Sequence, residues 1–191
     1  MLNELVLKFA TWLDSYQSST DLHESLYMYG WVEGTHVLTL TVFLGMLLAI
    51  DLRLLGVAFK EIPASTFVER LDKPMMIGFV VMLISGVLLY YAIPIRSSQS
   101  IWFRMKIVLL ISAGINAFLI RKMTRGSDMS WDNSPVPPTR IRVGAGLSLC
   151  FWALVIACGR MMAYDWWDCH KEMPQFMYWA AGCVNELAAY E

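Results

Sequence analysis

The stretch that decides the fold is residues 29–57, YGWVEGTHVLTLTVFLGMLLAIDLRLLGV. From Gly34 to Ile50 it holds no Asp, Glu, Lys or Arg. About 20 apolar residues in helical conformation cross ~30 Å of hydrocarbon, so this stretch alone is long enough to span a bilayer. Three more uncharged runs follow, at 74–95, 107–120 and 143–159. With their flanks they predict spans at 29–57, 74–92, 101–120 and 141–164. Pro74 is expected in the first turn of the second helix, where its missing N–H is not needed.

The whole chain agrees with its hydrophobic runs. It has 191 residues, 57% of them apolar and 16% charged, with a mean hydropathy of +0.50. A soluble domain is nearer 45–50% apolar and about 25% charged. The expected fold is an all-α membrane protein, a four-transmembrane-helix bundle with amphipathic surface helices at both ends. The composition argues against a soluble enzyme and a disordered tail. It also argues against a nucleic-acid binder, which wants a basic surface. The predicted partner is the lipid bilayer, with other membrane subunits or a periplasmic redox protein as further candidates.

Orientation follows from the loops. Arg53, Lys60, Arg70, Lys73, Arg121, Lys122, Arg125, Arg140 and Arg142 sit on the two loops after the first and third spans. They are nine of the 15 basic residues. The positive-inside rule therefore predicts both termini outside, in the periplasm of a bacterial inner membrane. Trp31, Trp102, Trp166 and Trp167 fall at the outer span ends, as an interfacial aromatic belt should. No cleavable signal peptide is expected at the N-terminus.

Three segments result. Residues 1–28 are an amphipathic periplasmic segment, with Leu2, Leu5, Val6, Phe9, Trp12 and Leu13 at helical spacing. Gln17–Thr20 reads as a polar link leading to Asp21, an N-cap with Glu24 three residues on. Residues 29–164 are the transmembrane domain. Residues 165–191 form a periplasmic tail with a surface helix after Pro174. Cys169 and Cys183 in that tail are candidates for a disulfide in an oxidising compartment, with two free thiols as the alternative. Cys150 and Cys158 lie eight residues apart on the fourth span. At about 12 Å along the axis they are too far apart to bond and read as small buried hydrophobes.

Ionisable residues inside spans are functional candidates by default. His36 lies about five residues inside the outer start of the first span, roughly 7 Å deep. Lys106 has the same depth in the third span and Arg160 in the fourth. Glu33 is one turn from His36 on the same face. The sequence thus predicts a polar layer of Glu33, His36, Lys106 and Arg160 near the outer surface. An imidazole in apolar surroundings suits an axial ligand of haem iron, and nearby cations suit its propionates. Gly78, Met82 and Gly86 recur every four residues, a smooth stripe that admits a flat macrocycle or a close helix neighbour.

Competing readings stand beside haem b. His36 could make a structural hydrogen bond, and Lys106 and Arg160 could snorkel to the interface. Only His23 and His170 could supply a second imidazole; Met161, Met162 and Met82 are thioether candidates, the Lys106 amine is another, and a five-coordinate haem with no second ligand is the remaining alternative. Imidazole with methionine sulfur also suits copper. At the opposite end, about 22 Å from His36, Asp51 is expected to pair with Arg70, Lys73 or Arg53. Asn116 reads as a helix-to-helix hydrogen bond.

These residues form a pattern. Glu24-Ser-Leu-Tyr27, Glu33-Gly-Thr-His36, Gly45, Asp51-Leu-Arg-Leu-Leu-Gly56, Arg70-Leu-Asp-Lys-Pro74, Gly78, Ser85-Gly-Val-Leu-Leu89, Trp102-Phe-Arg-Met-Lys106 and Asn116-Ala-Phe118 occur in that order. Over residues 11–123 the chain resembles a family of bacterial four-span membrane proteins of unknown function. His23 stands where that family tends to carry Arg. More remotely, the chain resembles HemJ-type protoporphyrinogen oxidases and CopD-like copper-resistance proteins. That resemblance implies His36 as haem ligand and Lys106 as a nearby required charge. It leaves three functional expectations: a haem b electron-transfer or redox subunit, a cofactor-free structural or assembly subunit, and copper handling at the periplasmic face.

Overall fold

In the computed structural model, residues 2–126, 129–164, 169 and 174–183 are described. Among them all regular structure is helical. Two short helices come first, α1 (Leu2–Asp14) and α2 (Gln17–Glu24). Then come α3 (Met28–Leu55), α4 (Ala64–Ala92), the short α5 (Pro94–Ser98), α6 (Ile101–Gly126), α7 (Thr139–Ala163) and α8 (Gln175–Ala181). α3, α4, α6 and α7 are long and apolar enough to cross a membrane. The chain is a multi-pass membrane protein with four candidate spans. Side chains such as Leu38, Ile84, Ile111 and Leu154 are exposed along these helices. An apolar surface of this kind is the one a bilayer covers.

The end of α3 shows why the chain turns there. Gly56 adopts φ +73°. Its N–H donates to the Arg53 carbonyl, and the Val57 N–H to that of Leu52. This is the left-handed closure that glycine permits without a steric penalty.

The second span begins ten residues earlier than the sequence pattern predicts. α4 opens at Ala64, so Pro74 lies inside the helix and not in its first turn. The reason is packing and capping. Ala64, Phe67, Val68 and Leu71 all meet one apolar cluster. Asp132 holds the new N-terminus, its carboxylate accepting from the Ser65 N–H at 2.7 Å and the Ser65 hydroxyl at 2.6 Å. Its carbonyl accepts the Ala64 N–H at 3.2 Å. The N-terminal reading also changes. Gln17–Thr20 is helical, and Asp21 is no N-cap but accepts from the Gln17 amide within α2. α2 is secured by Ser19, whose hydroxyl donates to the Tyr91 carbonyl at 2.7 Å.

The chain forms two compact units, and each long helix contributes a part to both. The first comprises residues 1–33, 86–108 and 156–191. In it α1 lies against α5. Arg104 of α6 donates to the Ser98 carbonyl, to Asn3 Oδ1 and to the Ala180 carbonyl, joining α5, α1 and α8 to α6. Gly182, at φ +74°, leaves the room that the guanidinium fills. Cys169 and Cys183 are disulfide-bonded, with Cα atoms 5.5 Å apart.

The second unit comprises residues 34–85 and 109–155. Phe43, Met82, Ala113, Trp152 and Val155 form one buried cluster from all four long helices. Ile50, Leu54, Ala64, Ile141 and Ala145 form another. Gly78 lets α4 approach α3, since a Cβ there would lie 3.7 Å from Phe43 Cβ. Asn116 Nδ2 donates to the Gly144 carbonyl at 3.0 Å, a bond between α6 and α7. Cys150, in this unit, is exposed, whereas Cys158 of the first unit is buried as a small hydrophobe should be. The position of Cys150 on α7 turns it away from both clusters.

Candidate functional site

His36 lies in the second unit, on α3. Its Nδ1 is 3.0 Å from the Met82 carbonyl oxygen and 3.0 Å from Ser85 Oγ, both on α4. A carbonyl oxygen only accepts, so Nδ1 carries the proton. The Ser85 hydroxyl has acceptors within its own helix, the Val81 carbonyl at 2.9 Å and the Met82 carbonyl at 3.0 Å. Its oxygen is then available to accept from the ring as well. The ring is thereby oriented, its Nδ1–H held by α4. A backbone bond at Nδ1 is the usual way a protein orients a histidine that ligates through the other nitrogen.

The remaining predicted residues divide between the units. Gly78 shares the second unit with His36; Glu33, Gly86, Lys106 and Arg160 belong to the first. Glu33 is exposed. Lys106 is half-buried, and its ammonium end occupies the space beside Gly159, 3.5 Å from where a Cβ would stand. Arg160 is exposed. It donates to the Tyr164 hydroxyl at 2.9 Å, with its guanidinium carbon 5.0 Å from the Tyr164 ring centre. Met161 and Met162 are half-buried in the first unit. His23 is exposed and meets the Tyr29 ring edge-on. His170, Trp166 and Trp167 lie outside the described residues. Among the described residues, no three His, Cys, Asp or Glu side chains group as a metal site.

At the far end of α3, Asp51 does not take the predicted basic partner. It is buried, and its hydrogen bond is to Ser148 on α7. Arg53 is turned away from it and donates to the carbonyls of Ile62, Asp132 and Ser134. Two residues along a helix point to opposite sides, which separates these two charges. Arg121 pairs with Asp72.

Sequence reasoning missed Ser85, Ser148, Arg104 and Asp132 as positioning residues. Each acts through a neighbour remote in the chain, and no local spacing marks such a pairing.

Residues 23–165 match the family of unknown function DUF6644. The chain belongs to this family. Every motif quoted above falls inside the matched stretch. The DUF6644 match runs further than those motifs, through the whole of α7, and leaves out α1 and most of α2. No curated protein and no solved structure was found to match the chain.

Proposed function

We propose that this DUF6644 member is a haem b-binding protein of the bacterial inner membrane that serves as an electron-transfer or redox subunit. The observation that carries the reading is the anchored ring of His36. Its Nδ1–H is committed to α4, which leaves Nε2 as the nitrogen through which the ring would ligate iron. The remote resemblance to HemJ-type proteins supports the same residue. Bound haem would supply one-electron chemistry at its iron. The chain's own part is to hold the imidazole against rotation, through Met82 and Ser85, and to surround it with apolar helix. Gly78, in the same unit, is proposed to keep the facing side of α4 low.

The loop charges support an orientation with both termini in the periplasm. The Cys169–Cys183 disulfide supports it too, since such bonds persist in oxidising compartments.

A second reading has a specific observation in its favour. The His36 bond fastens α3 to α4 and would do so with no cofactor, as expected of a structural or assembly subunit. Protein purified in detergent from cells well supplied with haem separates the two. A reduced-minus-oxidised spectrum with a b-type Soret band supports haem. A colourless preparation overturns it. Metal analysis of that preparation then separates the structural subunit from copper handling.

A further inference from the structure

The second unit buries three polar side chains from three helices against one stretch of α7. Asp51 of α3 is 3% exposed, Ser148 of α7 7% and Asn116 of α6 9%. Asp51 is hydrogen-bonded to Ser148. One turn earlier on α7, Asn116 donates to the Gly144 carbonyl. The surroundings are the apolar cluster of Ile50, Leu54, Ile141 and Ala145. The second carboxyl oxygen of Asp51, Oδ2, is buried with no hydrogen-bond partner.

None of the charges nearest in the fold bonds Asp51 Oδ2. On α3, Arg53 donates through Nε and Nη2 to the Ile62, Asp132 and Ser134 carbonyls, and its Nη1 is buried without a hydrogen-bond partner. On α4 and α6, Asp72 and Arg121 pair with each other, while Glu69, Arg70, Lys73 and Lys122 are exposed. On α7, Arg140 and Arg142 are exposed, and Asp132 in the preceding loop caps α4. A bare, ionised carboxylate oxygen in such a place is costly. A metal cation would need several oxygen ligands. A proton needs none beyond the carboxyl itself.

We infer that Asp51 is a proton-binding site within the membrane-spanning part of the chain, its Oδ2 taking the proton while Ser148 holds the other oxygen. The reading is independent of haem. It makes the Asp51–Ser148 pair a candidate point of proton uptake and release on the second unit.

Infrared spectroscopy of the full chain in lipid vesicles at neutral pH tests it. Wild type should show a carboxylic-acid carbonyl band that Asp51→Asn lacks. In Ser148→Ala, which keeps the carboxyl and loses its hydrogen bond, the band should move to higher frequency. An identical band region in wild type and Asp51→Asn overturns the inference. If Asp51→Asn does not fold, Ser148→Ala decides, and an unmoved band overturns it. Stabilisation by sodium without any acid band would also overturn it, in favour of a metal cation.

Discussion

At the scale of single residues, the sequence marked His36 and Asp51 because each is polar inside an apolar run. It did not reveal what each touches. His36 meets Met82 and Ser85, 46 and 49 residues away in the chain, and Asp51 meets Ser148. Only the packing of α3 against α4 and α7 sets those partners. If Ser85 helps orient a ligating imidazole, Ser85→Ala should weaken haem binding by roughly 10-fold or more, the usual scale for residues behind a ligand. Haem titration of the apo protein measures this; unchanged affinity would remove Ser85 from the account. Gly144 offers a test of close packing. A Cβ there would stand 2.9 Å from Ile120 Cγ1 and 3.1 Å from its Cδ1, the atom that valine lacks. Gly144→Ala should destabilise by about 1–3 kcal/mol through overpacking, and Ile120→Val in the same chain should recover part of it. Thermal unfolding of the single and double variants checks both statements.

At the scale of elements, the four long helices were legible because hydropathy reports what lipid tolerates. Their starts and stops were legible only where chemistry is local. Gly56 ends α3 by its own conformation, and the sequence pattern came within two residues of that end. The start of α4 was not legible, because its cap, Asp132, is 67 residues from Ser65. A charged stretch at 69–73 reads as loop until its apolar face finds a cluster. Asp132→Ala should therefore lower stability by about 0.5–2 kcal/mol, the range for losing an N-cap. Amide exchange should rise first at Ser65–Phe67. Protection unchanged there would refute the capping role. Pro74 sits mid-helix without an N–H to give. Pro74→Ala should keep the fold and raise the unfolding temperature, since proline costs up to about 3 kcal/mol in a helix interior.

At the scale of the whole molecule, composition alone gave the membrane class, and the family match agrees with the quoted motifs in order and spacing. The arrangement of the first unit was less legible. Arg104 reads in sequence as one more charge near a span end, yet it gathers α1, α5 and α8. The disulfide closes the tail around α8, with its cysteines 14 residues apart. By loop-closure entropy such a bond stabilises by about 3 kcal/mol. Reduction should therefore lower the unfolding temperature of wild type and leave a Cys169→Ser, Cys183→Ser double variant unaffected.

The central claim rests on one side chain, His36. Its most direct test is the visible spectrum of His36→Gly, purified beside wild type and reconstituted with haem in the presence and absence of free imidazole. The account predicts a b-type Soret band in wild type, its loss in His36→Gly, and its return when imidazole fills the space left by the side chain. An undiminished band in His36→Gly without imidazole would contradict the assignment of His36 as the ligand.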